Sequence, residues 1–108
     1  MMRRSEARPR WSVNYGTNAM IRTEIPIVNR LGLHARAAAK FVTCANQFDS
    51  IVQVERGGRK VNGKSIMGVM MLAAACGTSI FVEVDGDDEA AAMAALAALA
   101  QDRFGEGE

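Results

Sequence analysis

The stretch IRTEIPIVNRLGLHARAAAKFV, residues 21–42, contains a strand pattern followed directly by a helix pattern. Residues 21–28 alternate between two faces with the period of a half-buried strand, and one face carries Ile21, Thr23, Ile25 and Ile27. Pro26 cannot donate to a sheet ladder, so this strand is expected at a sheet edge or near a bulge. From Ala35 to about Asn46 the spacing predicts a helix that buries Ala38, Phe41, Val42 and Ala45.

Downstream, the stretch IVQVERGGRKVN, residues 51–62, predicts two short strands joined by a hairpin at Gly57-Gly58. Asn62-Gly63 forms the next turn, and Ser65 is the expected N-cap of a short apolar helix. The stretch SIFVEVDG, residues 79–86, predicts a strand with one apolar face made of Ile80, Val82 and Val84.

Three acidic residues at 87–89 suit the positive end of a last helix. This helix is expected to bury Met93, Leu96, Ala97, Ala100 and Phe104. The resulting order, βαββαβα, predicts an α+β domain in which four short strands form an antiparallel or mixed sheet with the helices on one face.

The 108 residues are enough for one domain with its own core. Residues 1–20 carry a net charge of +3 and residues 21–108 a net charge of −2, so nucleic acid is not expected as the main partner. We expect residues 1–19 to be a disordered basic extension, or the product of an upstream start codon with Met20 as the natural beginning. An arm that touches DNA or a membrane is the alternative. The domain is predicted over residues 20–104, with a frayed tail over 105–108.

No apolar stretch has the length of a signal peptide core or of a membrane span. Cys44 and Cys76 lack metal-ligand spacing and are too few for a disulfide scaffold. We therefore expect two free thiols in a reducing cytoplasm, with no metal, no cofactor and no membrane partner.

His34 is the only histidine and is predicted at or next to the N-cap of the first helix. Gly32 permits an unusual backbone just before it, and a helix N-terminus offers free N–H groups to an anion. Arg36 adds a guanidinium that can bind phosphate oxygens. No carboxylate, serine or cysteine stands near His34 in the sequence to make it a general base. The pattern therefore predicts a nitrogen nucleophile that accepts and donates a phosphoryl group.

Two motifs carry a resemblance to a known family. GLHARAAAKFV, residues 32–42, resembles the active-site motif of the HPr family, the phosphocarrier proteins of bacterial phosphotransferase systems. VNGKSIMGVMMLAA, residues 61–74, resembles the family's second signature, and the resemblance spans about residues 20–103. The second segment is closer to the nitrogen-related branch, called NPr, than to the sugar branch.

The resemblance implies an open-faced β-sandwich, with three helices on one face of a four-stranded antiparallel sheet. It implies that enzyme I, charged by phosphoenolpyruvate, phosphorylates His34 on Nδ1, and that an enzyme IIA-type protein receives the group. Arg36 matches the family's active-site arginine, and the backbone of Ala35, Arg36 and Ala37 is expected to hold the phosphoryl oxygens. Ser65 matches the serine that an HPr kinase/phosphorylase modifies in some bacteria.

The resemblance also implies a docking patch, for which we expect Lys40, Ile66, Met67 and Met70 in a monomeric carrier. The family usually has proline where this chain has Ala37, whose N–H could add a donor to the phosphoryl group while loosening the site. A regulatory binding module, switched by phosphorylation at His34 or Ser65 without carrier flux, is the alternative. An unrelated α/β-sandwich that binds a small anion is a third reading.

Overall fold

The computed structural model of the protein describes residues 20–108, so the basic extension predicted over residues 1–19 lies outside the described residues. The elements follow the predicted order βαββαβα, with a 3-10 turn at the end. Their bounds are β1 Ile21–Pro26, α1 Ala35–Ala45, β2 Ile51–Arg56, β3 Arg59–Asn62, α2 Ile66–Met71, β4 Ser79–Asp85, α3 Glu89–Gln101 and the turn Arg103–Gly105.

The four strands form one antiparallel sheet in the order β1-β4-β2-β3. Because β1 is an edge strand, Pro26 costs the sheet no central ladder bond. The hairpin between β2 and β3 turns at Gly57 and Gly58, which both have positive φ, at 59° and 83°. That backbone suits two glycines in a two-residue hairpin loop, as the sequence predicts.

One sheet face packs against the helices and forms the core. The sequence predicted its strand members Ile80, Val82 and Val84, each at most 1% exposed. The opposite face is polar, and Glu83 at its centre accepts hydrogen bonds from Arg22 and Lys60. The hydrogen bond from Lys60, followed by that from Arg22, lowers the pKa of Glu83 despite the opposing effect of burial.

Helix α1 buries the four apolar residues that the sequence predicts, together with Ala37. Ser65 caps α2 by accepting a hydrogen bond from the Gly68 N–H at 3.1 Å. Phe104 is fully buried but lies in the 3-10 turn after α3, and Ala97 is only partly buried.

The C-terminal residues 105–108 differ from the frayed tail that we expected. They return to the loop before α1, where the Glu108 carbonyl accepts from the Arg30 N–H at 3.0 Å and the Glu108 carboxylate from the Arg30 guanidinium at 2.8 Å. The buried ring of Phe104 fixes the start of this segment, which is why it packs on the domain.

Candidate functional site

The loop that leads into α1 has a backbone that only glycine adopts easily. Gly32 has φ +70°, and a Cβ there would lie 2.5 Å from the Ala74 carbonyl oxygen. The Leu33 N–H donates to the same Ala74 oxygen at 2.9 Å, and the Gly32 N–H donates to the Asn29 carbonyl at 3.1 Å. These contacts hold the entry to α1 against the segment that follows α2.

His34 is the N-cap of α1, with extended backbone and no hydrogen bond from its side chain to the helix. The first intrahelical bond runs from the Ala38 N–H to the His34 carbonyl at 2.8 Å. The N–H groups of Ala35, Arg36 and Ala37 precede that bond, so they have no partner within the helix and point out of its N-terminal end. The imidazole, 29% exposed, therefore stands at an N-terminus that attracts anions.

The structure places a carboxylate directly on the imidazole, which the sequence analysis did not foresee. Glu106 Oε2 contacts His34 Nε2, and Glu106 Oε1 accepts from Asn29 Nδ2 at 3.0 Å. The inference that no carboxylate stands beside His34 was wrong, because the two residues are 72 positions apart. No motif indicates this contact, and the only available signal was the acidic character of the C-terminal segment.

Glu106 is held in its ionised form by its neighbours. The hydrogen bond from Asn29 lowers the pKa of Glu106 most, and the hydrogen bond from the His34 ring and the charge of Arg36 lower it further. Partial burial of the carboxylate opposes these effects without cancelling them. The imidazole therefore faces a fixed negative charge on the side of Nε2.

An open cleft of about 630 Å³ lies at this end of α1. It brings the predicted residues His34, Ala35 and Arg36 together with two residues of the loop before α1 and with the C-terminal segment. The residues of the wall are Arg30, Leu31, His34, Ala35, Arg36, Gly105, Glu106 and Glu108. The exposed guanidinium of Arg36 is thus available to an anion that enters the cleft.

Helix α2, which packs on α1, exposes the apolar side chains that the sequence analysis assigns to docking. Ile66 is 42% exposed, Met67 69% and Met70 36%, whereas Leu72 is buried. The Lys40 ammonium donates to the Phe104 carbonyl at 2.8 Å, which also ties α1 to the C-terminal turn.

The described part of the chain offers little support for a metal site or a reactive thiol. Residues 20–108 contain no group of three or more His, Cys, Asp or Glu placed to hold a metal ion. Cys44 and Cys76 are free, and burial raises the pKa of the Cys44 thiol, which disfavours a reactive thiolate. Within the same residues no helix combines the length and apolar character needed to cross a membrane.

Comparison with known proteins agrees with the geometry. The sequence profile described as "PTS HPr component phosphorylation site" matches residues 21–102. The phosphocarrier protein HPr of Cupriavidus necator is 55% identical over 89 residues, covering 82% of this chain and 100% of that protein. HPr of Neisseria meningitidis is 58% identical with the same coverage. This chain belongs to the HPr family.

Solved HPr structures confirm the predicted fold. HPr from Thermoanaerobacter tengcongensis has a TM-score of 0.77 at 45% identity, covering 80% of this chain and 97% of that one. HPr from Bacillus anthracis has a TM-score of 0.72 at 43% identity, covering 75% and 96%. The family makes this chain a phosphocarrier of the phosphotransferase system. Its leaning towards the nitrogen-related branch stays a prediction.

Proposed function

We propose that His34 accepts a phosphoryl group on Nδ1 from enzyme I, which phosphoenolpyruvate has charged, and passes it to an enzyme IIA-type protein. The observation that carries this proposal is the position of the imidazole at the N-cap of α1, beside three N–H groups that have no partner within the helix and beside an exposed arginine. The first turn of a helix and a guanidinium both favour a phosphoryl dianion. The family description as a phosphorylation site supports the same assignment.

The chain's own residues supply positioning and charge, and the catalytic work is shared with the partner enzymes. The N–H groups of Ala35, Arg36 and Ala37 hold the phosphoryl oxygens, and the Arg36 guanidinium offsets their charge. The protein is in this sense a carrier and not an enzyme that turns over alone.

Ala37 replaces the proline usual in the family and adds an N–H to this set. Ala37 precedes the residue that makes the first intrahelical bond, so the helix does not use its N–H. The additional donor compensates for the loss of proline's fixed φ. Transfer is therefore retained with alanine at this position.

The proposed docking surface consists of Ile66, Met67 and Met70 on α2, together with Lys40 on α1. Methionine adapts its shape to different partners, which suits a surface that meets a donor and an acceptor in turn. Met67 has the most exposed side chain of the three. Met67→Ala should therefore raise the KM of enzyme I for this protein with little change in kcat. Unchanged KM values for both partners would remove Met67 from the surface.

Ser65 is the regulatory position. A phosphate there would place about −1.5 to −2 charges at the start of α2, next to the docking surface, and would repel an acidic partner. Ser65→Asp keeps a cap acceptor while adding charge, so it should fold normally and accept phosphate from enzyme I more slowly. Transfer at the rate of the unmodified protein would argue against regulation at this residue.

The two free thiols suit a reducing cytoplasm, and a carrier that presents one site to successive partners is expected to act as a monomer. The exposed methionines also fit a regulatory binding module that docks without carrier flux. The two functions differ in whether the phosphoryl group leaves His34 for an acceptor.

Transfer of label from radioactive phosphoenolpyruvate through enzyme I tests the acceptor. The full chain should take up acid-labile, alkali-stable label, and His34→Ala should take up none. Ser65→Ala is the control that keeps the acceptor and should label normally. Label retained in His34→Ala, or no label on the full chain from a cognate enzyme I, would contradict the assignment.

A further inference from the structure

We propose that Glu106 is a positioning residue for His34: it holds the imidazole proton on Nε2, so that Nδ1 carries the free lone pair. The inference rests on the proposed role of His34 as phosphoryl acceptor. It gives the physical reason why one ring nitrogen and not the other receives the group.

The contact between Glu106 Oε2 and His34 Nε2 fixes the tautomer. An ionised carboxylate only accepts hydrogen bonds, so Nε2 must be the donor. A neutral imidazole has a single N–H, and with the proton on Nε2 the other nitrogen is unprotonated. Nδ1 is then the only nucleophilic nitrogen of the ring.

Glu106 is itself oriented by a buried residue. Asn29 is fully buried, and its Nδ2 donates both to Glu106 Oε1 at 3.0 Å and to the Gly32 carbonyl at 2.8 Å. The Glu106 side chain is only 10% exposed, which limits its rotation away from the ring. The loop before α1 and the C-terminal segment therefore fix the carboxylate from two directions.

The path of the chain to Glu106 is conformationally unfavourable and yet well anchored. Arg103, Phe104 and Gly105 have successive positive φ values of 57°, 53° and 75°, which disfavours the first two because they carry a Cβ. Burial of the Phe104 ring and the hydrogen bond from Lys40 to its carbonyl hold this turn. The turn directs residues 106–108 back to the cleft, which is what brings the carboxylate to His34.

The same carboxylate helps the reaction electrostatically. The Nδ1 lone pair forms the new phosphorus–nitrogen bond while the bond from phosphorus to the donor protein's phosphorylated atom breaks and its electron pair returns to that atom. The proton stays on Nε2 throughout, so the His34 ring gains a positive charge as the bond forms. Glu106 stabilises that charge, as an aspartate behind a catalytic histidine does.

The test compares Glu106→Gln and Glu106→Ala with Glu24→Gln as the matched control. In Glu106→Gln, the Asn29 Nδ2 group still needs an acceptor, so the amide oxygen of the new glutamine is expected to take the place of Glu106 Oε1. The amide NH₂ group then faces His34 Nε2. A donor facing Nε2 favours the proton on Nδ1 and blocks the nucleophile. Glu106→Ala removes the carboxylate charge but places no hydrogen-bond donor opposite Nε2, so it does not force the proton onto Nδ1. Glu24 is exposed on β1 and does not line the cleft.

We expect transfer from enzyme I to fall by about tenfold or more in Glu106→Gln, by less in Glu106→Ala, and not at all in Glu24→Gln. In ¹⁵N NMR of the imidazole, the unmodified chain and Glu24→Gln should show the Nε2–H tautomer, and Glu106→Gln should shift towards Nδ1–H. A purely structural role would give the opposite order, because glutamine keeps the shape of glutamate and alanine does not.

Two results would overturn the inference: an unchanged tautomer with an unchanged transfer rate in Glu106→Gln, or a phosphoryl group on Nε2 of the unmodified chain by ³¹P NMR. Failure of the proposed function itself is recognised separately. It would leave the unmodified chain without phosphate, while the tautomer in the unphosphorylated protein still reports on Glu106.

Discussion

Replacement of Gly32 by alanine is predicted to destabilise the domain through two separable effects. The residue has φ +70°, where an alanine is unfavourable by about 1–2 kcal/mol. In addition, the new Cβ would lie 2.5 Å from the Ala74 carbonyl oxygen and 3.0 Å from Ala75 Cα. Both neighbours are backbone atoms, so the segment after α2 must move, which costs about 1–3 kcal/mol by analogy with overpacked cores.

The difference between Gly32→Ala and Gly57→Ala isolates the second effect, the close approach of the new Cβ to backbone atoms. Gly57 has φ +59° and nothing within 4 Å of its added Cβ, so it carries only the backbone cost. Urea unfolding of the two variants should therefore differ by about 1–3 kcal/mol, with Gly32→Ala the less stable and with similar m values. A difference of this size lowers the midpoint of thermal unfolding by about 4–8 °C for each kcal/mol. If Gly32→Ala loses no more stability than Gly57→Ala, the close approach to Ala74 does not constrain the loop.

Three further predictions concern single side chains. Ser65→Ala removes the cap of α2 and should lower the free energy of unfolding by about 1 kcal/mol in urea titrations, and an unchanged value would refute the cap. Ala37→Pro should raise that free energy by about 0.4–1 kcal/mol and change the transfer rate little, whereas much faster phosphorylation would show that alanine impairs the site. Since the pKa of Glu83 is lowered in the fold, the stability it adds is present above its unfolded pKa of about 4.3 and is lost as the pH falls through the lower folded pKa. The gap in unfolding free energy between the unmodified chain and Glu83→Gln should thus shrink between pH 7 and pH 3, and a constant gap would contradict the ion pairing.

Most of the fold is encoded locally, which is why the sequence predicts it. The alternation through Ile25 and Val82, the paired glycines of the hairpin and the cap at Ser65 each involve residues that are close in the chain. Helix α1 begins at Ala35, directly after the histidine predicted to cap it. Hydrophobic periodicity, turn residues and helix caps depend on residues that are near one another in the sequence, so they can be recognised without knowing the tertiary contacts.

The site could be predicted only in part, because its last element comes from the other end of the chain. His34 and Arg36 lie in one motif, but Glu106 reaches the imidazole through three left-handed residues and a buried Phe104. Hydrophobic periodicity does not encode such a turn, and glycine and glutamate at a C-terminus are typical of solvated tails. The contact follows from tertiary packing of Phe104.

The measurement that tests the account most directly is a chase of the phosphorylated chain. Protein labelled through enzyme I is separated from its donor and mixed with an unphosphorylated enzyme IIA-type protein. A carrier predicts that label leaves His34 and appears on the acceptor in equal amount, faster than spontaneous hydrolysis. Label that stays on the chain until it hydrolyses, with every cognate acceptor tested, would contradict the carrier and favour a regulatory binding module.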